Sequence, residues 1–470
     1  MTNINWSEEV QKRENEILTS TQEFLKIKSV LDETTVSEGA PFGEGIAQAL
    51  KHLLHKGEQD GFTVKNVDGY AGHIELGQGE DVIGILCHID VVPEGDGWSV
   101  DPYGGEIKDG KIYARGAIDD KGPTMAAYYA MKIVKDLGVP LNKRVRMIIG
   151  TDEESNWQCV DHYFKHEEMP KMGFAPDADF PIINAEKGIA DFDLVQAPLK
   201  DASPSSVTLT ALESGRRYNM VPDFAKAMLN VQEGAEDIQE RFNSFLQGKQ
   251  LQGKTSMDQK QLTLELQGVS AHGSVPEKGK NAGLLLNAFL QTIQLDEQGK
   301  QYVDFVNRYL VGDTVGQALE ASYRDDITGD LTINVGILRY SQEEGGKLGL
   351  NTRYPVTADI DKIVDSIKSH SASFNMEIQN FSDSKPHHVD KNHPLIQTLQ
   401  NVYTEQTGEE ATLLAIGGGT YARALDAGVA FGPLFEGREE LAHEKDEYMV
   451  VEDLLRATAI YAQAILELAK

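Results

Sequence analysis

The sequence predicts an α/β protein: a doubly wound, mostly parallel sheet domain interrupted by an inserted α+β lid domain. Three observations carry this. Val82-Ile-Gly-Ile-Leu-Cys87 and Arg144-Val-Arg-Met-Ile-Ile-Gly150 read as strands buried on both faces, with helical patterns between them. After about Ala190 the strands become amphipathic. The chain has 470 residues, too many for one hydrophobic core.

Residues 7–28 read as one amphipathic helix, with Val10, Ile17, Leu18, Phe24 and Leu25 on one stripe. A second helix carries Ile46, Leu50, Leu53 and Leu54 and stops near Gly57 and Gly61. Glu106 to Arg115 is a hairpin turning at Asp109-Gly110. Gly122 to Leu137 is helical and leads to the second buried strand. Strands at 207–211, 261–266 and 332–336 then alternate with helices at 236–246, 282–293 and 360–374, the pattern of an antiparallel sheet with helices on one face. The stretch 385–470 returns to helix and apolar strand and ends in a helix over 451–468. The expected domains are therefore 1–190 joined with 385–470, and 191–384 as the lid.

Hydrophobic residues make up 40% of the chain and charged residues 25%, an ordinary soluble balance. No apolar run approaches a membrane span, and the polar start from Met1 to Glu16 is unlike a secretory signal, so a cytoplasmic location is expected. Cys87 and Cys159, without CxxC spacing, give no disulfide framework and read as small buried hydrophobes. A net charge of −30 repels phosphate backbones and anionic lipid, which argues against nucleic-acid and membrane partners.

Several acids sit where a solvated charge has no reason to be. His88 and Asp90 close the first buried strand, and a carboxylate two residues from a histidine can orient its ring toward a metal. Asp119-Asp120 precede a helix starting near Gly122-Pro123; capping accounts for one aspartate and leaves the other open. Asp152-Glu153-Glu154 follow the second buried strand, where consecutive carboxylates repel unless screened. Asp177 and His443 lie in loops that are unremarkable alone. In an open parallel sheet ligands bind beyond the carboxyl ends of the strands, and these signals converge there. Imidazoles with carboxylates and no thiolate suit zinc, manganese or cobalt.

The motifs His88-Ile-Asp90-Val-Val-Pro, Arg115-Gly-Ala-Ile-Asp119-Asp-Lys-Gly, Thr151-Asp-Glu153-Glu154, Asp177, Gly268-Val-Ser-Ala-His272 and His443 resemble the di-zinc aminoacylase, carboxypeptidase and dipeptidase superfamily. The nearest likeness is to bacterial dipeptidases of the PepV (Xaa-His dipeptidase) type. It runs end to end, through Asn351-Thr-Arg353-Tyr-Pro and Gly417-Gly-Gly-Thr420. The resemblance implies one metal held by His88, Asp119 and Asp177 and another by Asp119, Glu154 and His443. It implies Asp90 as the partner of His88, Glu153 as general base and a cis bond between Asp119 and Asp120. From the lid, it implies His272 as oxyanion donor and Arg353, helped by Asn219, as the clamp for a substrate carboxylate.

These roles describe a metal-dependent dipeptidase, with two zinc ions (or manganese or cobalt), a short peptide as substrate, and a lid that closes to complete the site in a monomer. Two other functions use the same features. A deacylase of the superfamily would remove acyl groups from amino acids, and a non-catalytic metal- or peptide-binding protein would keep the ligands but has no need of Glu153.

Overall fold

The computed structural model describes residues 4–199 and 205–470, and their buried apolar side chains gather into two clusters. The chain divides accordingly into two compact units. One comprises Met1–Asn184, His388–Leu414 and Thr420–Lys470; the other comprises Ala185–His387 and Ala415–Gly419.

In the first unit, strands β1 (Thr63–Val67), β2 (Ala71–Leu76), β3 (Val82–His88), β4 (Arg144–Gly150) and β5 (Met172–Ala175) form a sheet in the order β1–β2–β4–β3–β5, continued by the short strand Gly428–Ala430. The centre is parallel: β3 runs with β4 and β5, and β5 with Gly428–Ala430. One margin departs from the expected parallel pattern, because β1–β2 and β2–β4 are antiparallel. Every residue of β3 is buried, as a strand covered on both faces requires.

Helices line both faces. Helix α3 (Glu44–Gln59) meets β2 through Gly57 and Ile74, while His73, pointing the other way, bonds to Tyr163 of α5 (Gln158–His166) at 2.8 Å. Helix α4 (Lys121–Asp136) packs against the final helix Val451–Ala469. The single helix expected over 7–28 is two, α1 (Trp6–Gln11) and α2 (Glu14–Leu25). They break because they have different partners, α1 lying against the final helix and α2 against α4. The hairpin turns at Asp109 and Gly110, both at positive φ (51° and 73°), as the two-residue turn demands.

This topology gathers loops at one edge of the sheet. Cys87 pairs with Ile149 and His88 with Gly150, so β3 and β4 end at one level and their loops emerge side by side. Strand β5 ends at Ala175, two residues before Asp177.

The second unit is an antiparallel sheet throughout. Its strands are β6 (Gly188–Gln196), β7 (Val207–Ser214), β8 (Phe224–Val231), β9 (Gln252–Asp258), β10 (Gln261–Gln267), β11 (Thr332–Ser341), β12 (Gly345–Tyr354) and β13 (Met376–Ser384), in the order β9–β10–β8–β7–β11–β12–β6–β13. Alternate residues such as Ala225, Ala227 and Leu229 of β8 and Leu262, Leu264 and Leu266 of β10 are buried. They share a core with helices α6 (Ala235–Lys249), α7 (Ala282–Leu290), α8 (Glu297–Tyr309) and α9 (Ile360–Ala372). The expected limits of 190 and 384 move to 184 and 387, and 415–419, which the sequence placed in the first domain, joins the second unit. The reason is hydrogen bonding: Lys187 N donates to Ile416 O at 3.1 Å and Arg353 Nη1 to Gly417 O at 3.1 Å. Among the described residues, no helix is long and apolar enough to cross a membrane.

Candidate metal centre

At the edge where β3 and β4 end, one carboxylate lies between two imidazoles. Asp119 Oδ1 is 3.0 Å from His88 Nε2, and Asp119 Oδ2 is 3.0 Å from His443 Nε2. His443 Nε2 is also 3.0 Å from Glu154 Oε1, and His88 Nε2 is 3.6 Å from Asp177 Oδ1. The residues sort into the sets His88, Asp119, Asp177 and Asp119, Glu154, His443, with Asp119 common to both. His88 Nε2 and Glu153 and Glu154 form a third, overlapping set.

His88 tests whether these sets suit a cation. Its ring is fully buried and its Nε2 makes no directed hydrogen bond, although carboxylate oxygens stand close by. Lone pairs that approach without N–H···O alignment are arranged to share a third partner, which is how metal donors lie. The other ring nitrogen is oriented, with Nδ1 at 3.0 Å from the main-chain oxygen of Asp90. The donors therefore fit borderline divalent cations.

Electrostatics points the same way. Burial, reinforced by neighbouring carboxylates, holds Glu153 well above the usual carboxylate range and raises Glu154 and Asp177. Burial would raise Asp119 too, but the adjoining imidazoles of His443 and His88 lower it. The bonds to Asp119 and Glu154 push His443 up to about 10. So many buried carboxylates repel one another and are stable together only with positive charge among them.

The structure gives Asp90 a further role and corrects the expected aspartate cap. Asp90 lies beyond the end of β3, and its carboxylate is 3.5 Å from His88 Nδ1. That carboxylate also accepts the amide N–H groups of Glu153 (3.1 Å) and Glu154 (3.0 Å), so it shapes the loop bearing both glutamates while its own carbonyl orients His88. Asp120 stands at the start of α4 but makes no side-chain cap. Its Oδ2 accepts the His88 amide at 3.1 Å and faces Thr124 Oγ1 at 3.2 Å, tying the helix start to the strand end. The Asp119–Asp120 bond is cis.

Two residues that sequence reasoning missed brace the centre. Glu447 is fully buried. Its Oε1 accepts the amides of Ile118 and Asp119, and its Oε2 accepts the Gly116 amide and pairs with Arg115 at 2.6 Å. Arg115 Nη2 donates in turn to His443 O at 3.2 Å, so one buried ion pair spans the Asp119 and His443 loops. The available signal was Arg115, a cation beside the apolar run Gly116-Ala-Ile118, which needs a counter-charge if buried. Tyr421 places its ring edge-on to His88, and a Cβ on Gly150 would fall 1.9 Å from its hydroxyl, so β4 must end in glycine.

Asn219, His272 and Arg353 belong to the second unit. Met220 bridges His272, and Gly273 N donates to Asn219 O at 2.7 Å, which brings the first two together. His272 Nδ1 lies 2.7 Å from Ser274 Oγ and accepts the Ser274 amide at 3.3 Å. Burial and the charge of Arg353 lower the His272 pKa. Arg353 Nε donates to Asn351 Oδ1 at 2.9 Å, and Asn351 Nδ2 donates to Asp191 Oδ1 at 2.6 Å, a chain that aims the guanidinium.

Comparison with known proteins agrees with this architecture. A protein of Bacillus subtilis (strain 168) named "Putative dipeptidase YtjP" is 56% identical over 467 residues, covering 99% of this chain and all of that one. A "Putative dipeptidase" of Staphylococcus epidermidis is 46% identical over 463 residues, covering 98% of each. Among solved structures, aminoacylhistidine dipeptidase from Vibrio alginolyticus superposes with a TM-score of 0.59 at 12% identity, over 97% of this chain and 96% of that one. Aminopeptidase PepT from Bacillus cereus superposes with a TM-score of 0.56 at 17% identity, over 97% and 99%. At such identities the structural likeness is one of fold. Residues 84–467 match the family described as peptidase family M20/M25/M40, and the chain belongs to that family.

Proposed function

We propose that this protein is a dipeptidase that hydrolyses the peptide bond of dipeptides with two divalent cations, zinc foremost, acting as a monomer in the cytoplasm. The observation that carries the reading is Asp119, one carboxylate with an imidazole 3.0 Å from each oxygen. Curated relatives that carry the name dipeptidase along their whole length support the substrate class.

His88, Asp119 and Asp177 would hold one cation, and Asp119, Glu154 and His443 the other. When bound, such cations supply Lewis acidity, which brings the pKa of water from about 15.7 toward about 7 and takes up charge on a carbonyl oxygen. Glu153, held by the Asp90 carboxylate through its amide, takes a proton from the attacking water and returns it to the leaving amine nitrogen. His272 donates its Nε2 proton in a hydrogen bond to the tetrahedral oxygen. Arg353 receives the free carboxylate of the substrate, with Asn219 beside it, and a bidentate guanidinium suits that planar group. The family resemblance implies a small, enclosed site that reads a terminal carboxylate, which would limit substrate length and favour dipeptides over proteins.

The test compares hydrolysis of Leu-Gly and N-acetyl-leucine by protein stripped of metal and then reloaded with zinc or manganese. Metal-restored cleavage of Leu-Gly alone is expected. Cleavage of N-acetyl-leucine alone would make the protein a deacylase, and cleavage of neither would leave a binding protein.

A further inference from the structure

A second group of metal-type donors lies elsewhere in the first unit and shares no residue with the centre above. Asp68, in the turn between β1 and β2, stands close to His162 and His166 of α5, and one donor atom from each lies within 4.8 Å of the others. The histidines are four residues apart, so both project from one face of the helix. Their rings lie 4.3 Å apart, inclined at 33°.

Each donor is oriented. His166 Nδ1 is 2.9 Å from the main-chain oxygen of His162, so Nδ1 carries the proton and the Nε2 lone pair points outward. His162 is stacked on Tyr70 at 4.3 Å and 19°, which confines its ring, and its Nε2 is 2.9 Å from Asp68 Oδ2. Asp68 sits at a φ of 55°, a left-handed backbone that aspartate tolerates better than most residues. A surface ion pair would need only Asp68 and His162. It leaves unexplained a second imidazole on the same face with its main-chain-facing nitrogen already engaged.

We propose that Asp68, His162 and His166 bind one zinc-class divalent cation. Two imidazoles and one carboxylate, with water in the fourth position, match the tetrahedral preference of zinc, whose bonds to such donors are about 2.0–2.2 Å. Binding displaces the proton shared by His162 and Asp68, and small side-chain rotations on an exposed helix face bring the three donors to bonding distance. The cation joins the β1–β2 turn to α5, the helix that follows the Glu153–Glu154 loop. That loop is already tied to the same turn, because Thr151 Oγ1 donates to Tyr70 O, and Asp152 Oδ2 accepts the Gln158 amide at the start of α5 at 2.9 Å. The site is thus a brace on the segment that carries the proposed base.

The experiment uses the untagged, full-length protein with its native metals. It is dialysed to equilibrium against micromolar zinc, and metal per chain is counted by atomic emission. Wild type is expected to hold about one zinc more per chain than the double variant His162→Ala/His166→Ala. Equal zinc in both proteins overturns the proposal. Asp68→Asn, which leaves α5 intact, is expected to bind that zinc more weakly than wild type; unchanged affinity overturns the three-donor site. Matching circular dichroism of the variants and wild type in zinc-free buffer separates loss of the site from loss of the fold.

Discussion

In the first unit, Asp119, Glu153, Glu154 and Asp177 crowd together beside His88, and burial raises the pKa values of all but Asp119. In the second, the Arg353 guanidinium is aimed by Asn351 and Asp191 and bonded to Gly417 O, and burial together with its charge lowers the His272 pKa. One unit gathers buried carboxylates around two imidazoles, and the other presents a guanidinium near a histidine. Under the proposed function the two units take different ligands: cations the first, and the anionic parts of a substrate and its transition state the second. It also separates the consequences of mutation, because changes to the ligand sets of the first unit should reach the metals and changes in the second should not.

Glu153→Ala gives the largest expected effect. It removes the proton carrier while sparing both proposed ligand sets, so turnover should fall by about 10²–10⁴-fold with metal content unchanged. Near-normal turnover would take Glu153 out of the role, and loss of metal would make it a ligand. His272→Ala is the milder counterpart in the second unit. Loss of one oxyanion donor costs about 3 kcal/mol, on the order of a hundredfold in turnover, and metal content should again stay normal. Loss of metal in that variant would erase the separation between the units.

Much of the centre was legible because buried parallel strands write themselves as continuous apolar runs. Val82 to Cys87 could be placed in a sheet from sequence, and hence His88 and Glu153 at strand ends where sites form. Residues that act across long separations were not legible. Glu447 sits 328 residues from the Asp119 amide it accepts, and nothing local distinguishes it from the other acids of an acidic chain. The place of Asp90 beside His88 Nδ1 was legible, but its bonds to the Glu153 and Glu154 amides were not, because Asp90 lies past the strand end, where alternation gives no guide. The break between α1 and α2 depends on which helix each one meets, and residues 415–419 changed units through main-chain hydrogen bonds, which leave no mark in composition.

The central claim is that Asp119 serves two cations at once. Counting tightly bound metal per chain in Asp119→Ala and in His443→Ala tests it most directly. The account predicts that His443→Ala keeps the cation of the His88 and Asp177 set and loses the other, whereas Asp119→Ala loses both. Equal losses in the two variants, or retention of either cation by Asp119→Ala, would contradict a shared carboxylate.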